Sequence, residues 1–341
     1  MKKNIFVHHN IARPQTSSSA CLPIQGEAMH QFQTAPCTTT TSRAPLRRVV
    51  VAGANGPTGR LLLLLLRDAD VHVTALVRQP VRLVADEVVA DWTRSERSFE
   101  VIAEADAVIL LTGVFAADSW DAYRSGMVDT AERIAAAVGE RDTRVIYFSH
   151  IGADVAENNW YLKAKGWAEQ ALARLSNVVI FRHGPVVRGS PQPLPFELSL
   201  QQRAPDAPVT LYGSGEQRCR PINLGDIATI AEAAALGAGS PGTYELGGPD
   251  EHSLVELVQL VNGRRVPVQT IAVAQAGACA KLPATVIDLI ARTQTPHPGE
   301  VEATAAHFGV QLTPLSLAWP LDDLYEVEEE LSLSLHYAQN P

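Results

Sequence analysis

Tyr161 and Lys165 stand four residues apart in the stretch NNWYLKAKGWAEQAL, and Glu169 follows four residues later. In a helix that spacing sets all three on one face. A phenol with a pKa near ~10 is a poor acid–base group at neutral pH, and a neighbouring ammonium favours its phenolate. Such a pair is suited to passing a proton to or from a substrate oxygen. Lys163 lies two residues from Tyr161, off that face, and reads as a solvated lysine. The same spacing also arises by chance on polar helices, so the elements around it must decide.

Those elements alternate. Apolar, β-branched runs fall at 47–52, 71–77, 87–91, 106–113, 144–150 and 177–184, with helical stretches between most of them. The longest helical stretch, 119–138, places Met127, Ala131, Ile134, Ala135 and Val138 on one side. The alternation predicts an α/β fold of Rossmann type, a doubly wound parallel sheet covered on both faces, over residues 46–187. After Gly184 the rhythm breaks. Residues 188–330 predict a smaller C-terminal substrate lobe that partly returns to the sheet, ending in short helical pieces interrupted by proline. The acidic run DDLYEVEEE near the end reads as a solvated helix face.

The first strand ends in Gly53-Ala-Asn55-Gly56-Pro57-Thr58-Gly59-Arg60, and a helix follows. In that context the first glycine permits a tight turn. The second admits a pyrophosphate close to the backbone, and the third lets helix pack on strand. The first helical amides then face phosphate charge. Pro57 suits an early helical position. The leucine run 61–66 is apolar all round, as expected of a helix buried on every side. After the second strand comes Arg78, where NAD binders tend to place an acid. That guanidinium suits a 2′-phosphate, with Arg60 able to assist, so NADP is expected and NAD possible. Asp91 is placed to accept from an adenine amino group. Thr112 and Gly113 are placed to bring backbone beside a ribose.

Together these motifs resemble the short-chain dehydrogenase/reductases over Arg47 to about Val187, and more weakly to about Val261. The GxxGxxG turn is similar to the extended and atypical branches. VVAD, VIYFSHIGA, FRHGPVV, RPINLGDIA and YELGGPDEHSL resemble the NmrA-like branch, which is itself similar to a complex I accessory subunit and to plastid assembly factors. The resemblance implies Tyr161 as proton donor, with Lys165 as its modulator and a ribose ligand. It also implies a serine at the end of the preceding strand. Here that pair reads Ser149-His150: either Ser149 holds the substrate oxygen, or His150 donates in its place, or the polarising group is gone. The implied reaction is hydride transfer between nicotinamide and a small carbonyl, alcohol or quinone-like group. The alternative is a non-catalytic NAD(P)-binding redox sensor or assembly factor. A nucleotide-sugar epimerase fits less well, because only IGADVAENNW separates FSH from the tyrosine.

Other function classes are disfavoured. The 341 residues carry a formal net charge of −9 and no long basic block, which argues against nucleic acid. The longest apolar run, 61–66, is far short of the roughly 20 residues that span a bilayer, so no integral membrane segment is expected. Cys21, Cys37, Cys219 and Cys279 form no CxxC pair, and no metal site is expected, His8 and His9 included. The scattered thiols fit a reducing, cytoplasmic setting. Residues 1–45 and 331–341 read as disordered tails. The first is also basic and hydroxylated enough to be a transit peptide, or Met29 is the true start. GSGE at Gly213 lacks a nucleophile-elbow pattern. Arg218 and Arg220 read as surface charge or as partners of an anion, and His183 as a packed loop histidine. The expected partner is a small molecule, with oligomeric state left open.

Overall fold

The computed structural model describes residues 47–189, 192–276 and 282–318. Both expected tails, Cys21, Cys37, Cys279, His8, His9, Met29 and the DDLYEVEEE run lie outside them.

In chain order the first half comprises β1 (Arg48–Ala52), α1 (Pro57–Arg67), β2 (His72–Leu76), β3 (Glu87–Val89), α2 (Glu96–Ala103) and β4 (Ala107–Leu110). It continues with α3 (Trp120–Tyr123), a π turn (Arg124–Val128), α4 (Asp129–Val138), β5 (Arg144–His150), α5 (Trp160–Leu172) and β6 (Val178–His183). The second half comprises β7 (Val186–Val187), α6 (Pro195–Leu200), β8 (Val209–Tyr212), β9 (Arg218–Cys219), β10 (Ile222–Asn223) and α7 (Leu224–Ala235). Then follow β11 (Gly242–Leu246), β12 (His252–Ser253), α8 (Leu254–Val261), β13 (Val268–Ile271), α9 (Val273–Ala276), α10 (Ala284–Ala291), α11 (Pro298–Phe308) and α12 (Leu315–Ala318).

Seven strands form one sheet in the order β11-β6-β5-β4-β1-β2-β3, and every pairing in it is parallel. The period-two alternation of a strand sorts its residues to two covered faces. Val49, Val51, Ile109, Ile146 and Phe148 pack with α1 and α7. Val50, Ala52, Val108, Leu110, Val145 and Tyr147 pack with α2, α4 and α5. This is the doubly wound α/β arrangement. Its strand order reverses between β1 and β4, where such sheets open a crevice at the strands' carboxyl ends.

Two local readings change. Leu62, Leu63 and Leu66 of α1 are buried, but Leu64 is 41% exposed, so the leucine run is not covered all round. The long helix expected over 119–138 is broken by the π turn. There Gly126 lies so close to Val114 that a Cβ would sit 2.4 Å from its Cγ2, and the Thr130 hydroxyl donates to Met127 O at 2.9 Å. Such π turns are frequent near functional sites.

The part after Val187 supplies β11 to the sheet edge and α7 to its α1 face. It also gathers a separate apolar cluster that includes Phe196, Leu211, Leu257, Val286 and Ile290. Among the described residues no helix is long and apolar enough to cross a membrane. None of their His, Cys, Asp and Glu side chains form a group of three or more that could hold a metal ion.

Helix α5 is seated by backbone contact. A Cβ at Gly166 would lie 2.5 Å from Asp154 C and 2.7 Å from Val155 N. Gly166→Ala gains up to about 1 kcal/mol of helix propensity but meets main chain that cannot rotate away. Overpacking of about 1–3 kcal/mol should win, lowering stability by about 1–2 kcal/mol. Urea unfolding of the variant checks it, and an unchanged midpoint would mean that the 154–155 turn yields.

Candidate active site

The β1–α1 turn is shaped by close approach. Gly53 has φ +86, and a Cβ there would lie 3.0 Å from Leu111 C and Thr112 N. At Gly59 a Cβ would lie 2.6 Å from Gly53 O and 2.7 Å from Ala54 Cα. Gly56 caps α1 without a side-chain bond, Pro57 occupies its first turn, and no acid stands there. The first amides of α1 are therefore left for an anion. A cavity of about 1050 Å³ runs from Gly53, Asn55 and Gly56 past Trp92 to Arg78, and along Thr112 and Gly113. Cradle, helix end and exposed guanidinium fit a dinucleotide.

Two expected ligands are not among the residues that line this cavity. The Arg60 guanidinium donates to Asn55 Oδ1 at 2.6 Å and to Asn55 O at 3.2 Å, so it staples the turn instead of lining the cavity. Asp91 is exposed with φ +45, and its amide donates to Arg78 O at 3.3 Å. Trp92 and Thr93 line the cavity wall beside it.

A second cavity, about 260 Å³, is lined by Pro57, Thr58 and Gly59 at one end and by Gly113, Phe148, Tyr161, Lys165 and His183 at the other. A third, about 190 Å³ and mostly apolar, is walled by Phe115, His150, Tyr161, His183, Phe196 and Leu289 among others. Tyr161, His183, Phe115, Val186 and Leu194 belong to both walls. Tyr161 thus stands in the partition between the glycine-turn side and the apolar cavity.

Asn159 sets that position. Its Oδ1 accepts from Tyr161 N at 3.0 Å and Leu162 N at 3.3 Å, capping α5. Its Nδ2 donates to Thr285 O at 2.9 Å and to Asp288 Oδ2 at 2.8 Å, tying α5 to α10. An Asn just ahead of the helix was a readable capping signal that the spacing argument passed over. Tyr161 packs edge-on to His150 at 5.5 Å, Phe115 at 5.8 Å and Tyr123 at 6.4 Å. The Lys165 ammonium donates to Phe148 O at 2.7 Å. It lies 4.9 Å from the Tyr147 ring centroid and 5.8 Å from that of Tyr161.

This geometry corrects one expectation. The phenol is raised, not lowered. Burial, and then the nearby Tyr123, push Tyr161 well above its ordinary value. Burial pulls Lys165 itself down to about 8, against an opposing pull from Glu169. Glu169 is held by Arg182 of β6 through two bonds, 2.9 and 2.5 Å, a partner not evident from spacing.

Strand alternation separates Ser149 from His150. Ser149 is fully buried, its Oγ has no partner, and it lines none of the three cavities. His150 lines the apolar cavity with His183, their ring centroids 6.0 Å apart. His183, read as a packed loop residue, is therefore part of the site wall. Burial lowers His150 to about 4, with nearby Lys165 adding to it. Burial, then His150 and Lys165, lower His183 to about 3.

Both imidazoles stay neutral in the fold, whereas an unfolded chain protonates them near ~6.5. Below that pH the unfolded state binds more protons, so this contribution to stability is lost as pH falls toward the folded values of about 4 and 3. Stability measured from pH 7 to 4 should fall less steeply in His150→Leu/His183→Leu than in the wild type. Parallel slopes would show that neither histidine is buried neutral.

A family model described as NAD(P)H-binding matches residues 53–178. NADH dehydrogenase (ubiquinone) 1 alpha subcomplex subunit 9, mitochondrial, of Arabidopsis thaliana is 30% identical over 175 residues. The match covers 49% of this chain and 43% of that protein, so the chain spans less than half of the relative's length. Among solved structures, UDP-glucuronic acid 4-epimerase from Bacillus cereus in complex with NAD is 15% identical at TM-score 0.60, over 83% of this chain and 99% of that one. The human epimerase family protein SDR39U1 (isoform 2) with NADPH is 19% identical at TM-score 0.57, over 78% and 95%. The chain thus has a Rossmann-type α/β fold, and its residues 53–178 match the NAD(P)H-binding family.

Proposed function

We propose that this chain is an NADP-preferring oxidoreductase that reduces a small carbonyl or quinone-like group in the apolar cavity, with residues 188–330 as its substrate lobe. The observation that carries the reading is the place of Tyr161, in the partition between the glycine-turn cavity and the apolar one. The amides after Gly56 would hold a pyrophosphate, Arg78 a 2′-phosphate, Thr112 and Gly113 a ribose edge, and Lys165 the second ribose. A bound reduced nicotinamide would supply the hydride and leave oxidised. Tyr161, neutral because burial raises it, gives its hydroxyl proton to the substrate oxygen as the carbonyl carbon becomes that of an alcohol. Lys165, pulled down to about 8, remains largely an ammonium at neutral pH but gives up a proton more readily than an exposed lysine.

A second reading has its own observation. With Ser149 Oγ sealed in the interior, the family's usual second donor to a carbonyl oxygen is missing from the cavity. That favours a protein that binds NAD(P) without turnover, as a sensor or assembly factor, and the relative named as a subunit of a mitochondrial dehydrogenase supports it. A cytoplasmic location goes with the first reading and organellar import with the second. Nucleotide-sugar epimerisation is disfavoured, because no Lys or Arg lines the apolar cavity among the described residues, and a diphosphate would need one.

Fluorescence titration of NADPH and NADH, with a carbonyl and quinone panel, separates these. Arg78→Ala should weaken NADPH by about tenfold and leave NADH nearly unchanged. Tyr161→Phe should lower turnover by about 100-fold or more with cofactor affinity preserved. Tighter NADH than NADPH in the wild type would remove the phosphate assignment. Equal turnover by Tyr161→Phe would remove the tyrosine. NADPH binding with no turnover across the panel would establish the second reading.

A further inference from the structure

The polar atoms of the apolar cavity are few, and their hydrogens can be assigned. His150 Nδ1 lies 2.8 Å from Ile151 O, and His183 Nδ1 lies 2.8 Å from Gly184 O. A carbonyl oxygen only accepts, so each Nδ1 carries the hydrogen and donates it. Burial keeps both rings neutral, with pKa values of about 4 and 3, so each Nε2 is bare. Neither Nε2 has a hydrogen-bond partner among the described residues. Thr293, also in the wall, donates its hydroxyl hydrogen to Ile290 O at 2.6 Å and keeps only lone pairs. Among the described lining residues Tyr161 is the one hydroxyl left to donate. No Lys, Arg, Asp or Glu lines the cavity among the described residues, and Phe115 and Phe196 contribute apolar wall.

We infer that this cavity selects a neutral, apolar substrate bearing a hydroxyl beside its reacting carbon, because His150 and His183 both present acceptors to it. The inference rests on the reading of the cavity as the substrate site. Tyr161 donates to the carbonyl oxygen, and a neighbouring hydroxyl donates to an imidazole Nε2. A ligand without that hydroxyl leaves a buried acceptor unpaired, which costs about 1–3 kcal/mol and makes such sites selective. A carboxylate substrate is disfavoured on the same grounds, since it would meet acceptors and no cation.

Calorimetric titration of the protein loaded with oxidised NADP tests this without turnover. The probes are 2-hydroxy-1-indanone and its 2-methoxy ether. The hydroxy ketone should bind about tenfold tighter, and His150→Leu or His183→Leu should cut the preference to within about twofold. Nitrogen-15 spectra of the wild-type imidazoles should show the Nδ1–H tautomer for both, a readout that holds even where a variant fails to fold. Equal binding of the two ketones, or an Nε2–H tautomer, would overturn the inference and leave the substrate-site reading standing. If neither ketone binds the loaded protein, the substrate-site reading fails and the inference with it.

Discussion

The burial of one ammonium organises this site. Lys165 is 5% exposed, and an ammonium taken out of water must be hydrogen-bonded or surrounded by compensating charge density. It finds Phe148 O and the faces of two tyrosine rings. Its bidentate-held neighbour Glu169 supplies the opposing charge one helical turn away, and Arg182 holds that carboxylate to β6. Rotation of the helix would break the Lys165 bond to Phe148 O. Gly166 closes the remaining freedom by bringing α5 into backbone contact with the 154–155 turn. Tyr161 stands where it does because these restraints act on the same helix.

What could be read from the chain alone was what local physics demands. The glycine turn was legible because Gly53 needs positive φ and Gly59 needs a missing Cβ, and both show as glycine at fixed offsets. The strands were legible from β-branched runs, and the register of Tyr161 and Lys165 from helical period. Features that depend on which way a strand faces were not. Ser149 and His150 are adjacent in sequence, yet alternation sends one into sealed interior and the other to a cavity. The sign of the shift on Tyr161 was likewise hidden. Spacing predicts a lowering by Lys165, but burial, with Tyr123 beside it, raises the phenol, and only packing shows that. The bond of Arg60 back to Asn55 was likewise not legible from spacing.

The wall of the apolar cavity and the helix bearing Tyr161 are joined through α10. Leu289, Ile290 and Thr293 line the cavity. One turn earlier, Thr285 and Asp288 receive the Asn159 amide, and Thr285 Oγ1 lies 2.9 Å from Tyr123 Oη. Arg292 pairs with Glu157 at 3.2 Å, just ahead of α5. The group that caps α5 thus also ties down α10, which carries part of the cavity wall. The position of Tyr161 and the shape of the apolar cavity are therefore set by the same contacts.

The partition carries a division of charge as well as of space. On the glycine-turn side stand the open helix end, Arg78 and the Lys165 ammonium, each suited to an anionic ligand. On the other side stand two neutral imidazoles and aromatic walls, suited to a neutral one. Lys165 helps to keep the imidazoles uncharged, since its own charge disfavours theirs. The same ammonium lines the cavity on the glycine-turn side. Burial is the main cause of the neutral imidazoles and this cation adds to it, while Phe115, His183, Val186 and Leu194 stand with Tyr161 in both cavity walls.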